Sequence, residues 1–211
     1  MSKSIVLYLE IFFLTVLPLY FMTTKTSVLA ARPLLMAVGG LYCALRLLRS
    51  HARLTDLGLT LKNFAPATRA LILPSLSLII FVYLLIFFSP ASIKLWLIGT
   101  DPLSISSFSA RLAFYVFGSA PVQELIFRGY VTWRLEQVFH NRAWIYFLSV
   151  GVFTLLHTPF HSPIMVMVAL FLGIVYLHNY LIHRNLLAVS LSHAFIGAVL
   201  IYFRNAYLPY T

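Results

Sequence analysis

Apolar stretches of about 20 residues, the length of a helix that crosses a bilayer, recur along nearly the whole chain, and a soluble core is not built from such a pattern. Read from apolar runs bounded by charge, proline and glycine, they fall near 5–22, 29–47, 70–89, 107–139, 143–157, 164–182 and 185–204. The expectation is an all-α, polytopic helical membrane protein with about seven transmembrane helices, the one at 107–139 long and broken. Composition agrees. Of the 211 residues 61% are hydrophobic and 9% charged, and the mean hydropathy is +0.93, where a soluble domain carries roughly a quarter charged residues.

Because these segments run from end to end, 1–211 reads as a single membrane domain, with 1–104 as N-terminal helices and loops and 105–204 as a candidate catalytic helical core. The stretch IVLYLEIFFLTVLPLYFM (5–22) is too long for the apolar part of a signal peptide and no small-residue cleavage site follows it, so it reads as the first transmembrane helix. Two stretches are polar. RSHARLTDLGLTLKNFAPATR (49–69) reads as an interfacial loop with a short amphipathic turn, and SPASIKLWLIGTDPLSISS (89–107) as a loop with IKLWLIG lying on the bilayer surface.

The formal net charge of +10 resides in basic residues between apolar segments, which is the pattern of topology and lipid contact rather than of nucleic-acid binding. With the N-terminus inside, nine Lys and Arg fall on the cytoplasmic side and five on the other, so an N-in, C-out orientation is favoured. An integral, multi-pass protein of a prokaryotic inner membrane is the expected setting. The single cysteine, Cys43, excludes an internal disulfide and a Cys-rich metal site.

Against this background PVQELIFRG (121–129) places Glu124 and Arg128 four apart, on one helical face. Each charge costs at least ~2.5–3.5 kcal/mol inside a bilayer unless it is paired or faces a polar cavity. A structural ion pair and a functional pair are both consistent with that spacing. Downstream, His157 ends an apolar helix in GVFTLLHTPFHSP. Glu124 lies about 16 residues before the connection near residue 140 and His157 about 17 after it, so an antiparallel hairpin brings them level, ~24 Å from the turn. A carboxylate and an imidazole at one depth are the parts of a general acid/base pair. His193 interrupts a later apolar helix beside Ser190 and Ser192. Counted from the turn near Arg184 it lies ~10 Å shallower than the pair. Glu10, in the first segment, pairs with Arg46 or snorkels to the surface.

In order, QELIFRG (123–129), Phe153-x-x-x-His157 and SHAFIGA (192–198) resemble the three motifs of the CAAX protease and bacteriocin-processing (CPBP, or Abi) family of intramembrane endopeptidases: Glu-Glu-x-x-x-Arg, Phe-x-x-x-His and His-x-x-x-Asn. TDLGLT (55–60) also looks like a segment found ahead of that family's core. The resemblance implies a CPBP-like helical core and a glutamic-type endopeptidase acting on a membrane-anchored protein or peptide. Carried over, Glu124 and His157 would hold and activate a water, His193 would stabilise the oxyanion, and Arg128 would hold the acidic cluster in shape.

Two positions depart from the motifs. Gln123 stands where the family has its first glutamate, and an amide can orient a water but not take its proton. Either Glu124 does that work, or the chain is an inactive scaffold or immunity protein. Gly197 stands where the family often has asparagine, so one oxyanion donor is missing or supplied from elsewhere. No cofactor is expected. A metal-dependent version, with Glu124, His157, His161 and His193 as ligands, is the weaker alternative, because Pro159 interrupts the helical spacing of His157 and His161. His-Glu-x-x-His and Gly-x-Ser-x-Gly signals are absent.

Overall fold

The computed structural model describes residues 3–24, 32–50, 53, 55–98 and 107–207, and these form helices and turns with no strand among them. Helix α1 spans 3–24, with a π-helical turn at Phe12–Val16. It is followed by α2 (Arg32–Arg49), α3 (Phe64–Phe88) and the short α4 (Ala91–Ile98). The long α5 (108–138) is interrupted by π-helical stretches at Tyr115–Ser119 and Leu125–Val131. Helices α6 (Arg142–Leu155), α7 (Pro163–His183) and α8 (Leu186–Tyr207) complete the order.

The all-α polytopic architecture is the one the sequence predicts, with a correction to the number of spans. Among the described residues five helices are long and apolar enough to cross a membrane: 5–24, 64–88, 142–160, 163–183 and 186–206. The reason is charge. Helix α2 carries Arg32, Arg46 and Arg49, and α5 carries Arg111, Glu124, Arg128, Arg134 and Glu136. Both lie against the apolar helices, and Arg46, Arg128 and Arg134 meet carboxylates of the protein there.

Helix α3 starts six residues earlier than its apolar run. Asn63 caps it in the left-handed region (φ 58°) and Pro66 sits in the first turn, where a missing N–H costs nothing. The IKLWLIG segment reaches 99, beyond the described residues. Its helical part docks on the protein: Leu97 and Ile98 are buried, and Ser162 Oγ donates to the Leu97 carbonyl at 2.8 Å. Residues 101–106 of the second loop also lie outside the described residues.

Two apolar clusters hold the helices together. One joins α3, α4, α7 and α8 around Leu71, Val82, Tyr176 and Ile196. The other joins α1, α2, α5 and α6 around Leu7, Cys43, Tyr130 and Phe153. Leu73, Phe88, Phe117 and Phe147 point outward, the face such a fold offers to lipid.

TDLGLT forms a cap over the α7–α8 turn. Gly58 has φ +81°, and a side chain there would run into the backbone of Arg184 and Leu186. Its carbonyl accepts from Leu186 N at 2.9 Å. Asn185 donates to the carbonyls of Thr60 and Lys62, both at 2.8 Å, and accepts from Ala188 N, so one buried amide caps α8 and ties down the loop.

Glu10 is buried with four donors. Tyr130 Oη (2.6 Å), Tyr42 Oη (3.1 Å) and Arg46 Nη2 (3.2 Å) reach Oε1, and Arg134 Nε reaches Oε2 at 2.7 Å. The sequence anticipates Arg46. Arg134, Tyr42 and Tyr130 join it because α1 crosses both α2 and the end of α5.

Candidate active site

Helix α5 builds the site by leaving regular α geometry at both ends of its motif. A π turn inserts an extra residue and is frequent at functional sites. Here Leu125–Val131 follows directly on Glu124, and Thr132 Oγ1 donates to the carbonyl five residues back, that of Phe127, at 2.8 Å. The widened turn still presents Glu124 and Arg128 together, with Arg128 Nη1 donating to Glu124 Oε1 at 3.2 Å. Both side chains are sealed from solvent, at 0% and 1% exposure.

Arg128 is held from three sides. Its Nη2 lies 3.4–3.5 Å from the carbonyls of Leu172 and Gly173 on α7. Its guanidinium stacks over Phe153 at 4.3 Å and faces Tyr176 at 5.7 Å, contacts that favour a desolvated cation. Glu124 Oε1 meets a second partner from α8, His193 Nδ1, at 2.6 Å. Since a carboxylate only accepts, Nδ1 carries the proton and Nε2 is the nitrogen left for other work. Glu124 Oε2 has no hydrogen-bond partner among the described residues.

His157 ends α6. Its Nδ1 donates to the Phe153 carbonyl at 2.8 Å, which fixes the other nitrogen, Nε2, as the acceptor of a neutral ring. Phe153 therefore serves twice: its ring lies under Arg128 and beside His157 (4.8 Å between centroids), and its carbonyl orients His157. Gln123 donates from Nε2 to Ser119 Oγ at 2.8 Å.

Gln123, His157 and His193 all line one cavity of about 310 Å³, walled mainly by apolar side chains. Tyr115 and Gly197 share that wall. Tyr115 approaches His193 edge-to-face at 6.0 Å, and Tyr176 packs on its other side at 5.6 Å.

The structure thus gathers Glu124, Arg128 and His193 into one bonded cluster and sets His157 and Gln123 at the cavity it borders. It does not bond Glu124 to His157. The two connect through Arg128 and Phe153. The depth difference counted for His193 is absent, and the α7–α8 turn explains it. Arg184 pairs with Glu136, so the turn is level with Glu136 inside α5 rather than with the α5–α6 connection. From there Glu124 is 12 residues back and His193 9 residues on, which leaves only ~4–5 Å between them at 1.5 Å per residue. His161 is exposed on the turn after Thr158–Phe160. Among the described residues no three His, Cys, Asp or Glu side chains gather as a metal-ligand group. Tyr115 and Tyr176 were not legible as site residues, because an aromatic in an apolar helix reads as lipid contact or packing.

Helices and site together define a polytopic membrane protein whose buried carboxylate–imidazole centre borders a cavity between its helices. Residues 105–199 match the family model described as Rce1-like type II CAAX prenyl endopeptidase, which shows the likeness read from the three motifs. That stretch includes every member of the cluster, and the description is that of an endopeptidase family. No curated protein and no solved structure matches the chain.

Proposed function

We propose that the chain is an intramembrane endopeptidase of the glutamic type, cleaving a membrane-anchored protein or peptide by attack of water on a peptide carbonyl. The observation that carries this reading is the division of labour at Glu124. One oxygen is committed to Arg128 and His193, the other, Oε2, has no hydrogen-bond partner among the described residues, and His193, bonded to that carboxylate, lines a cavity together with His157. In the reaction Gln123 and Glu124 orient the water and His157 Nε2 takes its proton as the water oxygen bonds to the carbonyl carbon. The carbonyl oxygen becomes the oxyanion. A His193 carrying both protons donates from Nδ1 to Glu124 and from Nε2 to that oxyanion. Collapse breaks the C–N bond, and His157 returns its proton to the leaving amine. Donors placed in this way are worth several kcal/mol in a dry site.

A second reading rests on Gln123. Its amide reaches the cavity as a hydrogen-bond donor to Ser119, and an amide takes no proton from water. On that reading the chain binds a membrane peptide without cleaving it. The setting proposed for either reading is a prokaryotic inner membrane.

The test compares wild type with Gln123→Glu, Glu124→Ala and His157→Ala in vesicles. The probes are a farnesylated C-terminal peptide, suggested by the name of the matching family, and an unmodified transmembrane peptide. Cleavage that Glu124→Ala and His157→Ala abolish, and that a chelator leaves unchanged, is the expected result. Cleavage only in Gln123→Glu identifies an inactivated site. No cleavage by any form, with binding retained, favours the scaffold.

A further inference from the structure

The third motif lacks a side chain at 197, and another residue occupies that place. Position 197 lies four residues after His193 on α8, on the same helical face. A Cβ built on Gly197 would fall directly onto the phenol of Tyr115, its nearest neighbours being Cε1, Cζ and Oη of that ring. The hydroxyl end of Tyr115 therefore lies over the bare backbone of Gly197, where a longer side chain there would begin. Both residues line the cavity with His193. Tyr115 is half-buried where it lines this cavity. Tyr115 opens the π-helical stretch Tyr115–Ser119, whose extra residue per turn changes the direction in which the ring leaves α5.

We infer that Tyr115 is a catalytic residue, its hydroxyl donating to the oxyanion beside His193 in place of a side chain at position 197. This rests on the peptidase reading. A phenol is a suitable donor here: it is neutral, so it carries no charge cost into the bilayer, and its ring packs on α8 against Gly197 and His193. Gly197 is then required for close approach, since any side chain would displace the ring.

The parent for the test is whichever of wild type and Gln123→Glu cleaves the peptide probes. Tyr115→Phe keeps the ring and removes only the hydroxyl. It is expected to lower kcat on the order of 10²-fold with KM unchanged, as for a donor that acts only in the transition state. Tyr115→Ala combined with Gly197→Asn puts an amide into the space the ring has left, and is expected to cleave faster than Tyr115→Ala alone. Detergent melting of each variant confirms folding. A Tyr115→Phe variant within about twofold of its parent's kcat, a loss confined to KM, or a double variant no better than Tyr115→Ala overturns the role of Tyr115 while leaving the peptidase reading intact. If no parent cleaves, the peptidase reading fails and this inference falls with it.

Discussion

Glu10 and Glu124 are both buried carboxylates in apolar helices, both face an arginine, and yet they are finished differently. Glu10 has donors on each oxygen: two tyrosines and two arginines, drawn from α2 and α5. Glu124 has two donors on one oxygen and none on the other. A carboxylate whose lone pairs are taken up by the protein ties helices together and has little capacity left for a substrate. One with an unused oxygen keeps an acceptor in reserve, although leaving a buried acceptor unpaired costs roughly 1–3 kcal/mol. Saturation, rather than burial or charge, separates the structural carboxylate from the one proposed to be reactive.

Substitution at each carboxylate tests that contrast most sharply. Glu124→Gln preserves shape but removes the charge that holds His193 and orients the water, and is expected to cut cleavage by roughly 10²–10³-fold, the scale for loss of electrostatic stabilisation in a dry site, while the protein stays folded. Glu10→Ala should do the reverse. It removes the carboxylate that faces the buried Arg134 guanidinium, so a loss of about 3 kcal/mol or more in unfolding free energy is expected, with cleavage per folded molecule unchanged. Denaturant titration and a cleavage assay on the same preparations check both, and catalysis lost at Glu10 without loss of fold breaks the comparison. At the small end is the partly exposed Glu136–Arg184 pair. Glu136→Ala should cost no more than ~1 kcal/mol, but it loosens the depth of His193, so its effect on kcat should exceed its effect on melting.

The sequence carries the helical membrane fold openly, because apolar length and charge spacing are local properties. It also exposes Glu124, Arg128 and His157, since four-residue spacing and hairpin counting need no tertiary knowledge. What it hides depends on how helices sit against one another. The bond between His193 and Glu124 is hidden because counting takes the α7–α8 turn to be as shallow as the α5–α6 turn, whereas the Arg184–Glu136 pair sets it about one turn back along α5. Arg134 looked like a cytoplasmic charge and is spent on Glu10 inside the protein. Tyr115 carried one faint signal, the missing side chain at Gly197, and only the packing of α5 on α8 shows what replaces it.

The cap that residues 55–63 place over the α7–α8 turn has its own consequence. Through Gly58 and Asn63, which hold Leu186 and His183, and through Thr60 and Lys62, which hold Asn185, the height of His193 in the proposed site is set by a brace outside residues 105–199. Drift in that brace can detune the chemistry while every motif residue stays the same.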